Sequence, residues 1–339
     1  MKRRYYMLLL VIMLIVSGCA TGDEESRPAD DQGTGENVNE STDGEASSDD
    51  SPFPVTIEMN GEDITIEEAP ENIIPLSLEV AEIVLELVDP SRVTAVTKGV
   101  DDPYLSTKSD ISDEIPNRVG AAINIDPEEI LSYETDLLLL TKMYGQEEDA
   151  NKILSQLETP ILSFDNMVTV DHFLESALII GEAIGEKEKA EGLVDGMRSD
   201  IAAIQETIPE DESPSVLVLS EVGGDMGPLM MGPTNISYDL VHLAGAIPAV
   251  DSIDLERSTP AAIEQILKMD PDYIFLLDFF GKGEEGFEDL MNDPGWQTLQ
   301  AVEDDQIKMV EAKYILNPNF QNVEGLKIMT DFIYNLEDE

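Results

Sequence analysis

The spacing of apolar residues changes period several times along the chain, and each change marks an element. Over residues 186–208 (EKEKAEGLVDGMRSDIAAIQETI) apolar positions fall at Ala190, Leu193, Val194, Met197, Ile201, Ile204 and Ile208, with charges between them and Pro209 next. A stripe of 3.6-residue period stopped by proline predicts one long amphipathic helix. Earlier, Val55, Ile57 and Met59 alternate with polar residues, Asn60-Gly61 supplies a turn, and Ile64 and Ile66 resume the alternation, which predicts a β-hairpin. Short continuous apolar runs then alternate with helical stripes: strands at 73–77 and 93–97 around a helix at 80–87, and strands at 136–141 and 160–164 around a helix at 147–157. A shorter helix with the face Phe173, Ala177, Ile180 and Ile184 follows, capped by Thr169 or Asp171 and separated from the long helix by Gly185.

Beyond Pro209 the same grammar returns. A strand at 215–220, a glycine- and methionine-rich loop at 223–232, helices at 238–244 and 260–269, and a strand at 272–277 lead to the single tryptophan, Trp296. A strand at 306–311 and a final helix from Asn322 complete the chain. A shift of 136 positions superposes Glu128 on Glu264, Ile130 on Ile266, Leu131 on Leu267 and Asp136 on Asp272. The match continues from TKMYGQEE to LDFFGKGEE, each with an aromatic residue, a glycine and an acid pair. One module therefore occurs twice with a helix between, and two copies make two lobes, too few for a solenoid.

The first residues follow a different rule. Lys2, Arg3 and Arg4 precede a short apolar run, which closes on Val16-Ser17-Gly18-Cys19. That is the layout of an export signal, and the last four residues resemble the prokaryotic lipobox, by which Cys19 would be lipidated after cleavage. Cys19 is the only cysteine, so no disulfide can form. Residues 21–52 carry almost no large apolar side chain and read as a disordered acidic tether. Domain organisation is thus expected as signal 1–18, tether 19–52, N-terminal lobe 53–168, connecting helices 169–208 and C-terminal lobe 209–339.

Charge narrows the function. With 72 acidic residues against 19 basic ones the formal net charge is −53, which excludes nucleic acid as a partner because phosphate neutralisation needs a basic face. The acids are spread over every segment, the pattern of a solvated surface. No Ser/His/Asp set, phosphate loop or cysteine nucleophile points to an enzyme, although a carboxylate pair at glycosidase spacing is an alternative. His172 and His242 are the only histidines and both fall on predicted helices, so no bare-metal site is expected.

Taken in order, APENIIPLSLEVAEIVLEL, RVTAVT, the aromatic loop DDPY, VGAAINIDPEEILSYETDLLLL, GEAIGEKEKAEGLVDGM, YDLVHLAGAIPAVD, IEQILKMDPDYIFLL and DPGWQTLQAVEDDQIKMVE resemble the substrate-binding lipoproteins of ABC importers for iron-siderophore, heme and cobalamin. The resemblance covers residues 53–339. It implies an α/β fold: two Rossmann-like α/β lobes joined by one long inter-lobe helix, with the ligand in the cleft between them and little closure. It also implies a monomer on the outer face of the cell membrane, held there by its lipid, that hands an iron chelate or corrinoid to a permease dimer and keeps no cofactor of its own; heme is the alternative ligand. In open α/β sheets ligands bind beyond strand carboxyl ends, which selects Ser77, Tyr104, Met143, Tyr144, Met230, Met231, Phe279, Phe280 and Tyr314. Near these only Lys98, Lys142, Lys282 and Lys313 are basic, so strongly anionic catecholate complexes are disfavoured. In the family, one glutamate on each lobe docks to the permease, and the repeat places Glu148 and Glu285 there.

Overall fold

Strands of a parallel sheet are covered on both faces and read as continuous apolar runs, and the strongest such runs here sit at the centres of two sheets. The computed structural model describes residues 51–120, 127–142 and 159–336. The signal, the tether up to residue 50 and the expected helix at 147–157 lie outside the described residues.

The hairpin forms as β1 (Val55–Met59) and β2 (Glu62–Ile66), with Val55 opposite Ile66 and both turn residues at positive φ, 56° for Asn60 and 80° for Gly61. In the first half, β3 (Ile73–Pro75) pairs in parallel with β6 (Leu137–Lys142), and β6 with β7 (Ile161–Asp165). A separate parallel pair, β4 (Ala95–Thr97) with β5 (Asn117–Val119), joins β3 through a bridge between Ile73 and Val93. The second half is built on β8 (Ser215–Ser220), β12 (Tyr273–Asp278) and β13 (Ile307–Glu311), all parallel. Short strands β9 (Leu229–Met230), β10 (Ile247–Pro248) and β11 (Thr259–Pro260) extend it.

Alternation along the central strands assigns the layers. Ile73, Leu137, Leu139, Val216, Val218, Phe275 and Leu277 all enter one core, while their neighbours Ile74, Leu138 and Leu140, or Leu217, Leu219, Ile274 and Leu276, face a separate outer core in each half. The shared core contains the inward faces of helices Leu78–Leu87, Val170–Ala183, Lys187–Gln205, Ile236–Leu243 and Asn322–Tyr334. The two sheets thus back onto one helical layer.

Within that layer Thr169, the first of the two expected caps, accepts from the His172 N–H at 3.2 Å. Gly185, at φ +79°, turns the chain from helix Val170–Ala183 into helix Lys187–Gln205. These helices approach so closely that a Cβ on Gly181 would lie 2.3 Å from that of Ala190. Arg92 ties the turn to the first half, donating to the Pro70 and Ile184 carbonyls at 2.8 Å and pairing with Glu186 at 2.9 Å. The long helix spans about 28 Å at 1.5 Å per residue. It starts beside the first half, where Lys189 reaches the Leu87 carbonyl, and ends beside the second, where Gln205 reaches that of Leu243. It stops at Gln205, a little short of the expected 208. The helix expected over 260–269 starts only at Ile263, because Thr259-Pro260 pairs with β9 instead. An edge strand tolerates the missing proline N–H.

The repeat is structural as well as sequential. Asp136 accepts from the Glu71 and Asn72 N–H groups at 2.9 and 3.0 Å, and Asp272 accepts from the Ser215 N–H at 2.7 Å. Each carboxylate pins the amino end of its half's first central strand. We expect Asp136→Ala and Asp272→Ala each to lower stability by about 1–2 kcal/mol, and the double variant to lose their sum, since the sites share no partner. Urea unfolding of the three variants checks this; a marked departure from additivity would contradict two independent clamps.

Candidate functional site

Ser77, Asn166, Val222 and Phe279 follow β3, β7, β8 and β12, so the carboxyl ends of both halves' central strands face one region. A cavity of ≈ 270 Å³ lies there. The first half contributes Glu79, Asn166 and Met167; the second contributes Val222, Met231, Thr234, Asn235, Ile236, Phe279 and the segment Leu316-Asn317-Pro318. Two methionines, an aromatic ring and three asparagines make a surface for a large apolar ligand with a few polar anchors. Among the described lining residues none is basic. Lys142 instead lies 3.8 Å from Asp165, Lys282 sits over the Phe280 ring and Lys313 pairs with Glu311.

Of the residues selected from the sequence, Met231 and Phe279 line this cavity. Ser77 is buried but does not line the cavity; its hydroxyl accepts from the Thr141 N–H at 2.6 Å. Phe280 is 44% exposed and meets Phe279 edge to face at 4.8 Å. Tyr104 holds the two halves together: its ring lies over Gly281, where a Cβ would come within 2.4 Å of it, and its carbonyl accepts from the Lys313 N–H at 2.7 Å. Tyr314 packs at the edge of the shared core under the Lys313 ammonium. Met230 turns away, fully buried in the outer core of the second half. Period-2 alternation makes this unavoidable, since Met230 and Met231 are consecutive and only one can face the cleft. Met143, Tyr144 and Glu148 lie outside the described residues.

Sequence reasoning missed Glu79, Asn166, Met167, Thr234, Asn235 and Asn317. The signal for Glu79 was present, an acid on the first turn of a helix that leaves a central strand, but a chain so rich in acids hides it.

Three buried glutamates shape the site. Glu82 is fully satisfied: it accepts from the Ser106 hydroxyl at 2.5 Å, from the Thr107 N–H at 3.0 Å and from the Thr107 hydroxyl. Burial raises its proton affinity against those bonds and the Lys108 charge. Through these bonds it holds the loop that carries Tyr104. Glu221 is 4% exposed; one oxygen accepts from the Phe280 N–H at 3.0 Å and the other has no partner. It sits where a side chain on Gly286 would be, so only glycine fits there. With Asp278, which accepts from the Lys282 and Gly283 N–H groups, it fixes the loop that presents Glu284 and Glu285 to solvent. Glu79 lines the cavity at 9% exposure. Burial raises its proton affinity, opposed only by its own backbone N–H and by Thr141.

The sequence over residues 73–314 matches the model of the Periplasmic binding protein family, and the chain belongs to that family. It is similar to an uncharacterized ABC transporter substrate-binding lipoprotein, YvrC, of Bacillus subtilis, 27% identical over 83% of this chain and 86% of that one. It is also similar to a cobalamin-binding protein of Halobacterium salinarum, 24% identical over 66% of this chain and 58% of that one. Among solved structures it superposes on an ABC-type Fe3+-hydroxamate transport system from Saccharomonospora viridis with a TM-score of 0.67, 24% identity and coverage of 83% and 99%.

The two buried glutamates on helix Leu78–Leu87 should separate experimentally. Glu82→Ala strands the Ser106 and Thr107 donors and should cost about 3 kcal/mol in denaturant unfolding. Glu79 binds its proton more tightly folded than unfolded, so its contribution to stability is fully present below the ordinary value of 4.5 and is lost as pH rises toward the raised value. Glu79→Gln cannot titrate, so its melting temperature should gain on the wild type as pH rises from 4.5 to 8. A difference independent of pH would show that burial of this carboxyl carries no cost.

Proposed function

We propose that this chain is the extracytoplasmic substrate-binding protein of an ABC importer and that its cavity takes an uncharged or cationic metal chelate, a ferric hydroxamate or a corrinoid. The observation that carries this is the cavity at the strand carboxyl ends, floored by Met167, Met231 and Phe279 and free of basic side chains among its described lining residues. Tris-catecholate complexes carry several negative charges and would meet Glu79 with no cation to compensate. Heme is the second reading, favoured by the two thioethers in the cavity, since a thioether can ligate heme iron.

The remaining parts of the transport cycle are proposals on the same footing. Cys19 carries the lipid, residues 21–52 tether the folded part to it, and the folded part works as a monomer. Glu285, exposed on the loop that Asp278 and Glu221 pin, together with Glu148 from the other half, meets basic pockets of the two permease subunits. A pseudo-two-fold protein facing a two-fold permease requires one such contact on each half.

A titration with ferric trihydroxamate, cobalamin, hemin and a ferric tris-catecholate, followed by quenching of Trp296 fluorescence, tests the ligand class. At least one of the first three should bind with a micromolar or lower Kd and the catecholate should not; binding of the catecholate alone, or of none, overturns the reading. Charge reversal at Glu285 should abolish uptake in cells while leaving that Kd unchanged. Normal uptake by the reversed variant would place docking elsewhere.

A further inference from the structure

We propose that the cavity is not the seat of the whole chelate but a pocket for one arm of it, and that Glu79 with the oxygens of Asn166 and Asn317 selects an arm bearing hydrogen-bond donors, an ammonium or a primary carboxamide. The inference rests on the transport reading above and sharpens it.

Size comes first. Sites that engulf a drug-sized ligand run to roughly 300–1,000 Å³, and the cavity, at ≈ 270 Å³, is smaller than that. A siderophore or corrinoid body is larger still than a drug. What fits is a side chain of the ligand, with its body remaining outside the cavity.

The polarity of the lining is one-sided. The Asn166 amide nitrogen donates to the Thr234 carbonyl at 3.3 Å, that of Asn235 to the Leu316 carbonyl at 3.1 Å and that of Asn317 to the Leu105 carbonyl at 3.0 Å. A backbone carbonyl can only accept, so the nitrogen must face it and each amide's orientation is fixed. The Asn235 oxygen is occupied by the Ser237 N–H at 3.0 Å. Among the described residues no donor meets the Asn166 or Asn317 oxygen. Glu79 adds a carboxyl on which no basic group acts, and the buried Thr234 hydroxyl, which has no partner, can donate or accept. Acceptors therefore dominate the polar part of the pocket. A carboxylate or phenolate arm would set acceptors against acceptors, whereas an ammonium or carboxamide would supply donors to them.

Glu79 also has an ordinary explanation, since an acid on the first turn of a helix complements the helix dipole. A solvated position would provide that without burial, and here the carboxyl is enclosed and lines the cavity.

Two pairs of probes, each differing in one charge, test the idea at physiological salt, where the general attraction of an acidic surface for cations is screened. One pair is a linear ferric trihydroxamate with a free terminal ammonium and its N-acetyl derivative. The other is cobalamin and cobalamin with one peripheral propionamide hydrolysed to the acid. In whichever pair the protein binds, the member with the greater donor capacity should bind about tenfold more tightly, and Glu79→Gln should bring the ratio to about twofold or less while keeping the acidic surface intact. Glu79→Asp, which retains the charge, should keep the preference, and a melting curve for each variant confirms folding. Equal affinities within the bound pair for the wild type, or a preference that survives in Glu79→Gln, overturns the inference and leaves the transport reading standing. Binding of hemin alone, whose arms are carboxylates, overturns the inference and leaves the transport reading standing, and failure of all four probes and of hemin removes both together.

Discussion

A parallel strand with large apolar residues on both sides needs cover on both faces, and that requirement organises this protein. Leu137 to Leu140 and Val216 to Leu219 alternate between two cores without a polar interruption. Each sheet is closed on the outside by its own elements. On the inside both use one layer of helices, so the halves share a core that runs from Ile57 to Ile333. Removing apolar surface from water is worth roughly 25 cal/mol per Å², and opening the halves widely would forfeit that burial.

The shared layer also fixes the cleft. Because it backs both sheets, the carboxyl ends of β3, β7, β8 and β12 are brought to one region with little freedom to separate. Direct bonds cross between the halves at its edge: Asn166 to Thr234, Lys313 to the Pro103 and Tyr104 carbonyls, and Asn317 to that of Leu105. Glycine at 281, under the Tyr104 ring, permits the closest of these approaches. A binding protein built this way recognises its ligand with a largely preformed surface, which limits the ordering cost of binding.

Buried carboxyls are distributed with a clear division. Glu82, away from the cavity, is surrounded by donors and does structural work on the Tyr104 loop. Glu79, in the cavity, has few. Glu221, beneath the loop of Glu284 and Glu285, has one oxygen met and one not. Incomplete satisfaction thus sits at the cavity and beneath the exposed Glu284–Glu285 loop, and complete satisfaction on the Tyr104 loop.

The sequence by itself determined the main elements among the described residues, their order and the internal repeat, but not the short strands β5, β10 and β11. Period-2 and 3.6-residue patterns placed the hairpin, the central strands and the long helix to within a few residues, and the matched pair Asp136 and Asp272 turned out to pin equivalent strand ends. Composition also limited the charge: four lysines and no arginine cluster stand near the predicted strand ends, and no basic residue is among the described residues that line the cavity. Only the tertiary structure decided which of two consecutive methionines faces the cavity, since strand register, not residue type, sends Met231 inward and Met230 into the core. It likewise decided that Tyr104 bridges the halves and that Glu79, Asn166 and Asn317 share a pocket. Those residues are far apart along the chain, and nothing in local spacing encodes a meeting produced by two sheets packing on one helical layer.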